Sequence, residues 1–308
     1  MRTERSKIGD HRSITFLIID DTCCKKDAST KHMEALDYHF AHDENKSMWS
    51  HCLVTAHVVT EGLSLAWDFQ PYLREAYCQA HRLTFKSKND LAIELLDSYP
   101  ASENEQVYVL TDSWYTSKKF MDACNTKGFH LIAAVKTNRK IAPAGIRISM
   151  SKFASEHVRS TDLRSVTVEK QGRYRVYEYE GPVADMENVK VLLSWEDKFD
   201  PTQKPFCILC TDISLDSDTI LSYYHVRWNI ETGYRYFKER YWTLQYLVYN
   251  FLELQRKEWS TSDNILTLGD VVRRIRNEHF GQIIVYVYQQ ALDHKPLKEV
   301  LDDLKLSA

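Results

Sequence analysis

The sequence predicts an α/β protein built on a mixed, partly parallel β-sheet flanked by helices. Two short apolar runs that are rich in β-branched residues, Ile14–Ile19 and Val107–Leu110, are typical of buried strands. Residues 83–135 read in the order helix, strand, helix, strand, which favours parallel strands with helices on their faces. The content of 44% hydrophobic and 27% charged residues is that of a globular protein with a sizeable core.

Turn and stop signals place the other elements in the first part of the chain. Glu61–Gly62 separates two β-like runs and therefore predicts a hairpin. Gly128 follows a helical pattern and is the usual signal for the end of a helix. The predicted elements are hairpin strands at His51–Thr60 and Leu63–Phe69, helices at Lys88–Tyr99 and Ser117–Lys127, and a strand at Phe129–Val135.

The pattern changes after Lys140. Residues 141–194 alternate in the manner of antiparallel strands, so we expect an inserted β region that stands apart from the central sheet. Phe206–Cys210 predicts a further strand, Ser217 to about Tyr241 one long helix, and the remainder a helical C-terminal region. The expected domains are a catalytic core at 1–140 and 206–250, a β insertion at 141–205 and a helical region at 251–308.

One face of the predicted long helix carries a phenol, a guanidinium, a carboxylate and an ammonium group. At a rotation of ~100° per residue, spacings of three, four and seven residues keep side chains within a narrow stripe. The four residues of this stripe are Tyr224, Arg227, Glu231 and Lys238. A solvated face with ion pairs would also explain the stripe, but aromatic residues crowd its flanks. A carboxylate suits a metal ion, while arginine and lysine suit phosphates.

Two aspartates follow the apolar strand runs. Asp20 and Asp112 stand at strand ends, where the crevice of an α/β sheet binds ligands. Together with Glu231 they make three carboxylates, which repel one another unless a cation such as Mg²⁺ or Mn²⁺ lies between them. Asp21 is an alternative to Asp20, and because side chains alternate along a strand, only one of the two faces the site.

Several stretches resemble a known family. The pattern of Tyr224, Arg227, Glu231 and Lys238 within YHVRWNIETGYRYFK is similar to the Tyr-Arg-Glu-Lys signature of bacterial insertion-sequence transposases, the family-four branch of the DDE superfamily. LIIDDT and VYVLTDSWYTSKKF resemble its two aspartate blocks, and FKSKNDLAIELL is also similar. The resemblance covers roughly residues 14–250, and its Asp-x-Thr pattern selects Asp20 as the first acid.

The resemblance implies a ribonuclease H-like fold and a DNA transposase. Asp20, Asp112 and Glu231 would be the catalytic residues and would hold two Mg²⁺ or Mn²⁺ ions. Tyr224, Arg227 and Lys238 would bind DNA. The partners would be transposon ends and target DNA, bound by a homodimer. In this branch the β insertion contacts the transposon end, and a tryptophan stacks on a flipped DNA base; Trp195 is the candidate for that role here.

The composition limits these expectations. A net charge of −3 lacks the basic excess of most DNA-binding proteins, although Lys136, Arg139 and Lys140 form a local basic group. The long N-terminal DNA-binding region usual in the family is not expected here, because Asp20 comes so early. No apolar run approaches the ~20 residues of a membrane span. Seven irregularly spaced cysteines favour reduced thiols, and we expect a cytoplasmic protein.

Two other functions fit the same residues. The chain would be a ribonuclease H-like nuclease if it cuts DNA without joining it. It would be a decayed transposase if it binds DNA or partners without catalysis. Metal binding and strand transfer distinguish these three hypotheses.

Overall fold

The computed structural model describes residues 13–30, 32–41, 45–168, 172–237 and 242–304. Within these residues, strands form one continuous sheet. The strands are β1 (Ser13–Lys25), β2 (Asp37–Ala41), β3 (Lys46–Thr60), β4 (Leu63–Tyr72), β5 (Glu105–Thr111), β6 (His130–Ala134), β7 (Lys140–Ile141), β8 (Ile148–Ser149), β9 (Arg164–Val168), β10 (Gly172–Val183), β11 (Met186–Glu196) and β12 (Phe206–Cys210).

Helices follow the strands in chain order. Several begin with a side-chain cap that the sequence supplies, such as Ser117, whose hydroxyl accepts from the Phe120 backbone N–H. The helices are α1 (Glu75–His81), α2 (Lys88–Ser98), α3 (Lys118–Thr126), α4 (Met150–Glu156), α5 (Ser217–His225), α6 (Trp228–Phe237), α7 (Trp242–Trp259), α8 (Leu268–Leu292) and α9 (Leu297–Asp303).

The sheet is mixed, as the sequence predicts. β1 is antiparallel to β3 and parallel to β5, and β5 is parallel to β6. The strand order is β2-β3-β1-β5-β6-β12-β11-β10-β7-β8, with β4 beside β3 and β9 beside β10. The predicted α/β class with a mixed sheet is therefore confirmed.

The β region after Lys140 does not stand apart from this sheet. β12 pairs antiparallel with β6 on one side and with β11 on the other, so β11, β10 and β9 continue the central sheet. The antiparallel strands are present, but the expectation of a separate β region is wrong. Alternation along a strand fixes which face is buried, whereas the choice of neighbour depends on hydrogen bonds made by residues far away in the sequence.

The centre of β1 lies deep in the core. Leu17, Ile18 and Ile19 are consecutive residues that point to opposite faces in turn, and all three are fully buried. Both faces of β1 are thus covered, which explains why its sequence is continuously apolar instead of alternating. Polar groups at the end of this run are held in surroundings with little water.

The chain forms two compact units, residues 1–247 and 248–308. In the second unit, Thr267 caps α8 through a reciprocal pair of hydrogen bonds with Asp270. The Arg274 guanidinium lies 4.2 Å from the centroid of the Trp259 ring. No helix among the described residues combines the length and the apolar character that crossing a membrane requires.

A buried histidine on β3 is expected to make folding sensitive to acid. His57 is 1% exposed, its Nε2 lies 2.7 Å from Ser64 Oγ, and burial lowers its pKa to about 3. The unfolded chain protonates near pH ~6.5, so as the pH falls below this value the unfolded state binds a proton that the folded state excludes. Stability therefore falls from pH ~6.5 downward, by at most ~1.4 kcal/mol per pH unit from this residue.

We expect His57→Gln, which cannot be protonated, to flatten this dependence. The measurement is the free energy of urea unfolding across the acid limb, with His81→Gln, a change at an exposed histidine, as the matched control. An equal slope in wild type and His57→Gln would contradict the prediction.

Candidate active site

Two aspartates lie side by side where the pairing of β1 with β5 ends. Ile19 on β1 is level with Thr111 on the parallel strand β5, so the next residues, Asp20 and Asp112, are neighbours. β1 itself continues to Lys25, so the prediction that its strand ends before Asp20 is wrong. Asp20 is 8% exposed and Asp112 is half-buried. The negative charge of Asp112 lies near enough to raise the pKa of Asp20. The structure therefore brings together the two aspartates that the sequence selects.

Both carboxyl groups resist ionisation. Burial raises the pKa of Asp20 to about 8, with added repulsion from Asp112 and Asp21 and an opposing effect of the Arg227 guanidinium. Burial also raises the pKa of Asp112, against a hydrogen bond of 2.8 Å that its Oδ1 accepts from the Trp114 backbone N–H. Two acids held close together in such surroundings favour a cation between them.

The single long helix predicted from Ser217 to about Tyr241 is interrupted. It consists of α5 and α6, with a tight turn at residues 226–227. In this turn the backbone N–H groups of Val226 and Arg227 donate to carbonyl oxygens three residues earlier, both at 3.0 Å. The prediction of a continuous helix is wrong because the turn contains neither glycine nor proline, so the local pattern gives no signal for it.

The side chain of Arg227 extends from this turn to Asp20. Its Nη1 lies 2.7 Å from Asp20 Oδ2 and 3.9 Å from Glu231 Oε1. The side chains of Arg227 and Asp20 are 13% and 12% exposed, whereas that of Glu231 is 43% exposed. The guanidinium therefore connects a buried acid on β1 with a more open acid on α6. Among the described residues, no three acidic, histidine or cysteine side chains are grouped closely enough to hold a metal ion.

Two aromatic rings lie against this guanidinium. The Arg227 Cζ atom lies 5.8 Å from the centroid of the Tyr224 ring and 5.6 Å from that of Trp228. Tyr224 is 7% exposed, and burial raises the pKa of its hydroxyl to about 12, so the phenol stays protonated. Arg227 Nε is buried and has no hydrogen-bond partner. This buried donor is therefore left unsatisfied.

The neighbouring aspartate belongs to a different network. Asp21 accepts from Lys88 Nζ at 2.6 Å and from the Tyr115 hydroxyl at 2.9 Å. Sequence reasoning placed Asp20 and Asp21 on opposite faces but missed both partners of Asp21. Two features of the sequence could have indicated these partners: a lysine at the start of α2 and a tyrosine three residues after Asp112. The Asp21 carboxyl group is thus hydrogen-bonded to an ammonium group and to a phenol.

Trp195 and Lys238 are the two remaining residues that the sequence predicts to bind DNA. Trp195 is 4% exposed, donates its Nε1–H to the Gln203 carbonyl at 3.2 Å and packs edge-on against Phe199. The prediction that Trp195 stacks on a DNA base is wrong, because the ring is part of the core. Lys238 lies outside the described residues.

The chain matches the model of a known family of enzymes. A family model described as DDE superfamily endonuclease matches residues 2–160, slightly more than half of the chain. The chain therefore belongs to the DDE superfamily endonucleases, which makes it a nuclease-type enzyme with DNA as the substrate. The matched segment includes Asp20 and Asp112, and Glu231 follows it. A comparison with curated proteins gave no match.

The pair of Asp20 and Arg227 is expected to stabilise the fold when both side chains are charged. At about pH 9, above the pKa of about 8 of Asp20, Arg227→Met leaves a buried carboxylate without its partner. We expect a loss of ~3 kcal/mol in the free energy of urea unfolding, measured without divalent metal.

The double variant Asp20→Asn, Arg227→Met removes the orphaned charge and should recover at least ~1 kcal/mol of this loss. Arg74→Met, which breaks an exposed pair with Asp37 at 3.3 Å, is the control and should cost less than ~1 kcal/mol. Equal losses in the single and double variants would refute this role of the pair.

Proposed function

We propose that this chain is a transposase that cuts DNA at transposon ends and joins the freed ends to target DNA. The observation that carries the proposal is the placement of Asp20 and Asp112 side by side where the parallel pairing of β1 and β5 ends, with Arg227 in contact with both Asp20 and Glu231. The resemblance of the glutamate segment to the Tyr-Arg-Glu-Lys signature supports the family-four branch. As part of the same proposal, the chain works as a homodimer on DNA.

A ribonuclease H-like core is part of this proposal. It is supported by the strand order β4-β3-β1-β5-β6. In this order β4, β3 and β1 are antiparallel neighbours, and β5 and β6 both run parallel to β1. This arrangement brings residues of β1 and β5 together where the pairing of these two parallel strands ends. This strand order supports the fold alone, and the proposed enzymatic activity depends on the side chains of the candidate active site.

The acidic side chains suit divalent metal ions. Carboxylate oxygens are the ligands that Mg²⁺ and Mn²⁺ prefer. Burial is the main cause that raises the pKa values of Asp20 and Asp112, and repulsion from neighbouring acids adds to it. A bound cation would favour the charged form of both groups. We propose that Asp20, Asp112 and Glu231 hold two ions. When bound, the ions would supply activation of the attacking oxygen and stabilisation of the leaving oxygen. Glu231 would complete the set, since its partly exposed carboxylate lies 3.9 Å from the guanidinium that contacts Asp20.

Arg227, Tyr224 and Lys238 are proposed to hold the DNA backbone beside the scissile bond. The planar guanidinium of Arg227 suits the oxygens of a phosphate. The protonated Tyr224 hydroxyl can donate a further hydrogen bond. The guanidinium has other N–H groups besides the Nη1 that contacts Asp20 Oδ2, so Arg227 can keep this contact while it donates to a phosphate.

Substitution of the three acids tests the catalytic assignment. We expect Asp20→Asn, Asp112→Asn and Glu231→Gln each to slow Mg²⁺-dependent nicking of supercoiled plasmid by ~100-fold or more, because each removes a charged ligand. Asp21→Asn is the matched control and should retain most activity, since Asp21 is held by Lys88 and Tyr115. Loss of nicking in Asp21→Asn alone would reassign the first acid.

Joining separates a transposase from a simple nuclease. The assay offers a labelled oligonucleotide with a free 3′-hydroxyl and scores its covalent transfer into plasmid DNA. Transfer that depends on Asp20 supports the transposase. Nicking without transfer supports a nuclease, and the absence of both with retained DNA binding supports a catalytically inactive protein.

DNA binding in the presence of a chelator tests the phosphate contact. Arg227→Ala should weaken binding of a short duplex about tenfold and reduce its salt dependence by about one phosphate contact. Arg227→Lys keeps the charge and should restore the salt dependence without the full affinity. Arg74→Ala, at an exposed arginine, is the control. Unchanged affinity and salt dependence in Arg227→Ala would exclude this contact.

A further inference from the structure

Two cysteines face each other across the central strands β1 and β3. Cys23 on β1 is the register partner of Cys52 on β3, and the two thiols are hydrogen-bonded to each other. All seven cysteines are free thiols, and Cys24, the residue after Cys23, points to the opposite face of β1. The proposed function makes no use of this thiol pair, and the spacing of the cysteines along the chain does not indicate it.

The backbone brings these two side chains close together. In an antiparallel pair, opposed residues alternate between those that exchange backbone hydrogen bonds and those that do not. The Lys26 N–H donates to the carbonyl of Trp49, the residue opposite when the register is continued, so three positions earlier Cys23 and Cys52 form a pair without such bonds. The Cα atoms of such pairs lie about 4.5 Å apart, at the short end of the ~4.4–6.8 Å that a disulfide spans. A bond between the two sulfurs therefore needs little movement of either strand.

Cys23 is the more reactive thiol of the pair. It is partly exposed, whereas Cys52 is 1% exposed. A hydrogen bond from Cys52 lowers the pKa of the Cys23 thiol to about 7, and the nearby Lys88 ammonium adds to this against the opposing effect of burial. In contrast, burial raises the pKa values of Cys207 and Cys210 to about 12. Because the thiolate is the reactive form, an oxidant that enters from solvent reacts with Cys23 in preference to such buried thiols.

We propose that Cys23 and Cys52 form a reversible oxidation site, in which hydrogen peroxide converts the two thiols into a disulfide between β1 and β3. The Cys23 thiolate attacks one peroxide oxygen and breaks the O–O bond, which gives a sulfenic acid and hydroxide. The Cys52 sulfur then attacks the sulfenic sulfur and displaces its oxygen, which leaves as water. In total, two thiols and one peroxide give one disulfide and two waters, and the sulfurs lose the two electrons that the peroxide gains.

This oxidation site borders the Asp21 network but lies apart from the acids of the candidate active site. Strand alternation places Cys23 on the face of β1 opposite to Asp20. The Cys52 thiol lies 3.9 Å from Asp21 Oδ2, a long contact that disulfide formation removes while the two shorter hydrogen bonds of Asp21 stay in place. The inference therefore goes beyond the proposed function and does not depend on DNA cleavage.

The test counts thiols in the full chain before and after exposure to peroxide. Reduced protein, freed of reductant, is treated with a small excess of hydrogen peroxide, quenched with catalase, denatured and alkylated with iodoacetamide. Mass spectrometry of the wild type should show that two of the seven thiols no longer react and that dithiothreitol restores both. Tryptic mapping without reductant should place the bond between residues 13–25 and 47–74, the peptides that carry Cys23 and Cys52.

Cys23 and Cys24 share one tryptic peptide, so variants identify the thiol that forms the bond. Cys23→Ala and Cys52→Ala should each form no disulfide, whereas Cys24→Ala, the matched control, should form it as the wild type does. In Cys52→Ala the sulfenic acid of Cys23 has no partner thiol, so dimedone should trap it. The thiol count of the wild type needs no variant, so the proposal stays testable if a substitution prevents folding.

Three results would overturn the oxidation site. They are an unchanged thiol count in peroxide-treated wild type, a disulfide that persists in Cys23→Ala, and a bond that joins two copies of the chain, seen as a band of doubled mass on a gel without reductant. A disulfide that depends on both Cys23 and Cys52 supports the site whether or not the protein nicks DNA. Failure of this inference and failure of the proposed function are thus separate results.

Discussion

The buried pair of Asp20 and Arg227 ties the central strand to the helix that carries Glu231. Both side chains have lost most of their hydration, and their contact of 2.7 Å offsets part of the desolvation cost that raises the pKa of Asp20 to about 8. Since Arg227 lies in the turn between α5 and α6, its position fixes where α6 starts relative to β1. The geometry of the acidic site therefore depends on one ion pair between residues that lie far apart in the sequence.

The pleat of β1 imposes a second constraint. Asp20 and Asp21 are neighbours in sequence, yet they point to opposite faces and each meets its own cation, Arg227 or Lys88. The sheet thus divides two adjacent acids into separate networks. One acid stays next to Asp112 in the candidate active site, and the other anchors the segment that follows β5 through the hydroxyl of Tyr115.

Local patterns predicted the local features well. The helix that starts at Lys88 and the strand at Phe206–Cys210 lie where the periodicity and the caps place them, because each depends on side chains a few residues apart. Trp195 shows the limit of such reasoning. Its surroundings are Phe199 and the Gln203 carbonyl within the core, and a single tryptophan in a sequence carries no information about what will cover it.

The sequence by itself determined the α/β class and the buried apolar runs that precede Asp20 and Asp112, since hydrophobic periodicity records which residues avoid water. Only the tertiary structure decided that β12 joins the later strands to β6, that the chain turns sharply at Arg227, and that this arginine binds Asp20. These features depend on long-range hydrogen bonds and on the desolvation of charges. Both arise when distant segments pack together, and neither leaves a periodic trace in the sequence.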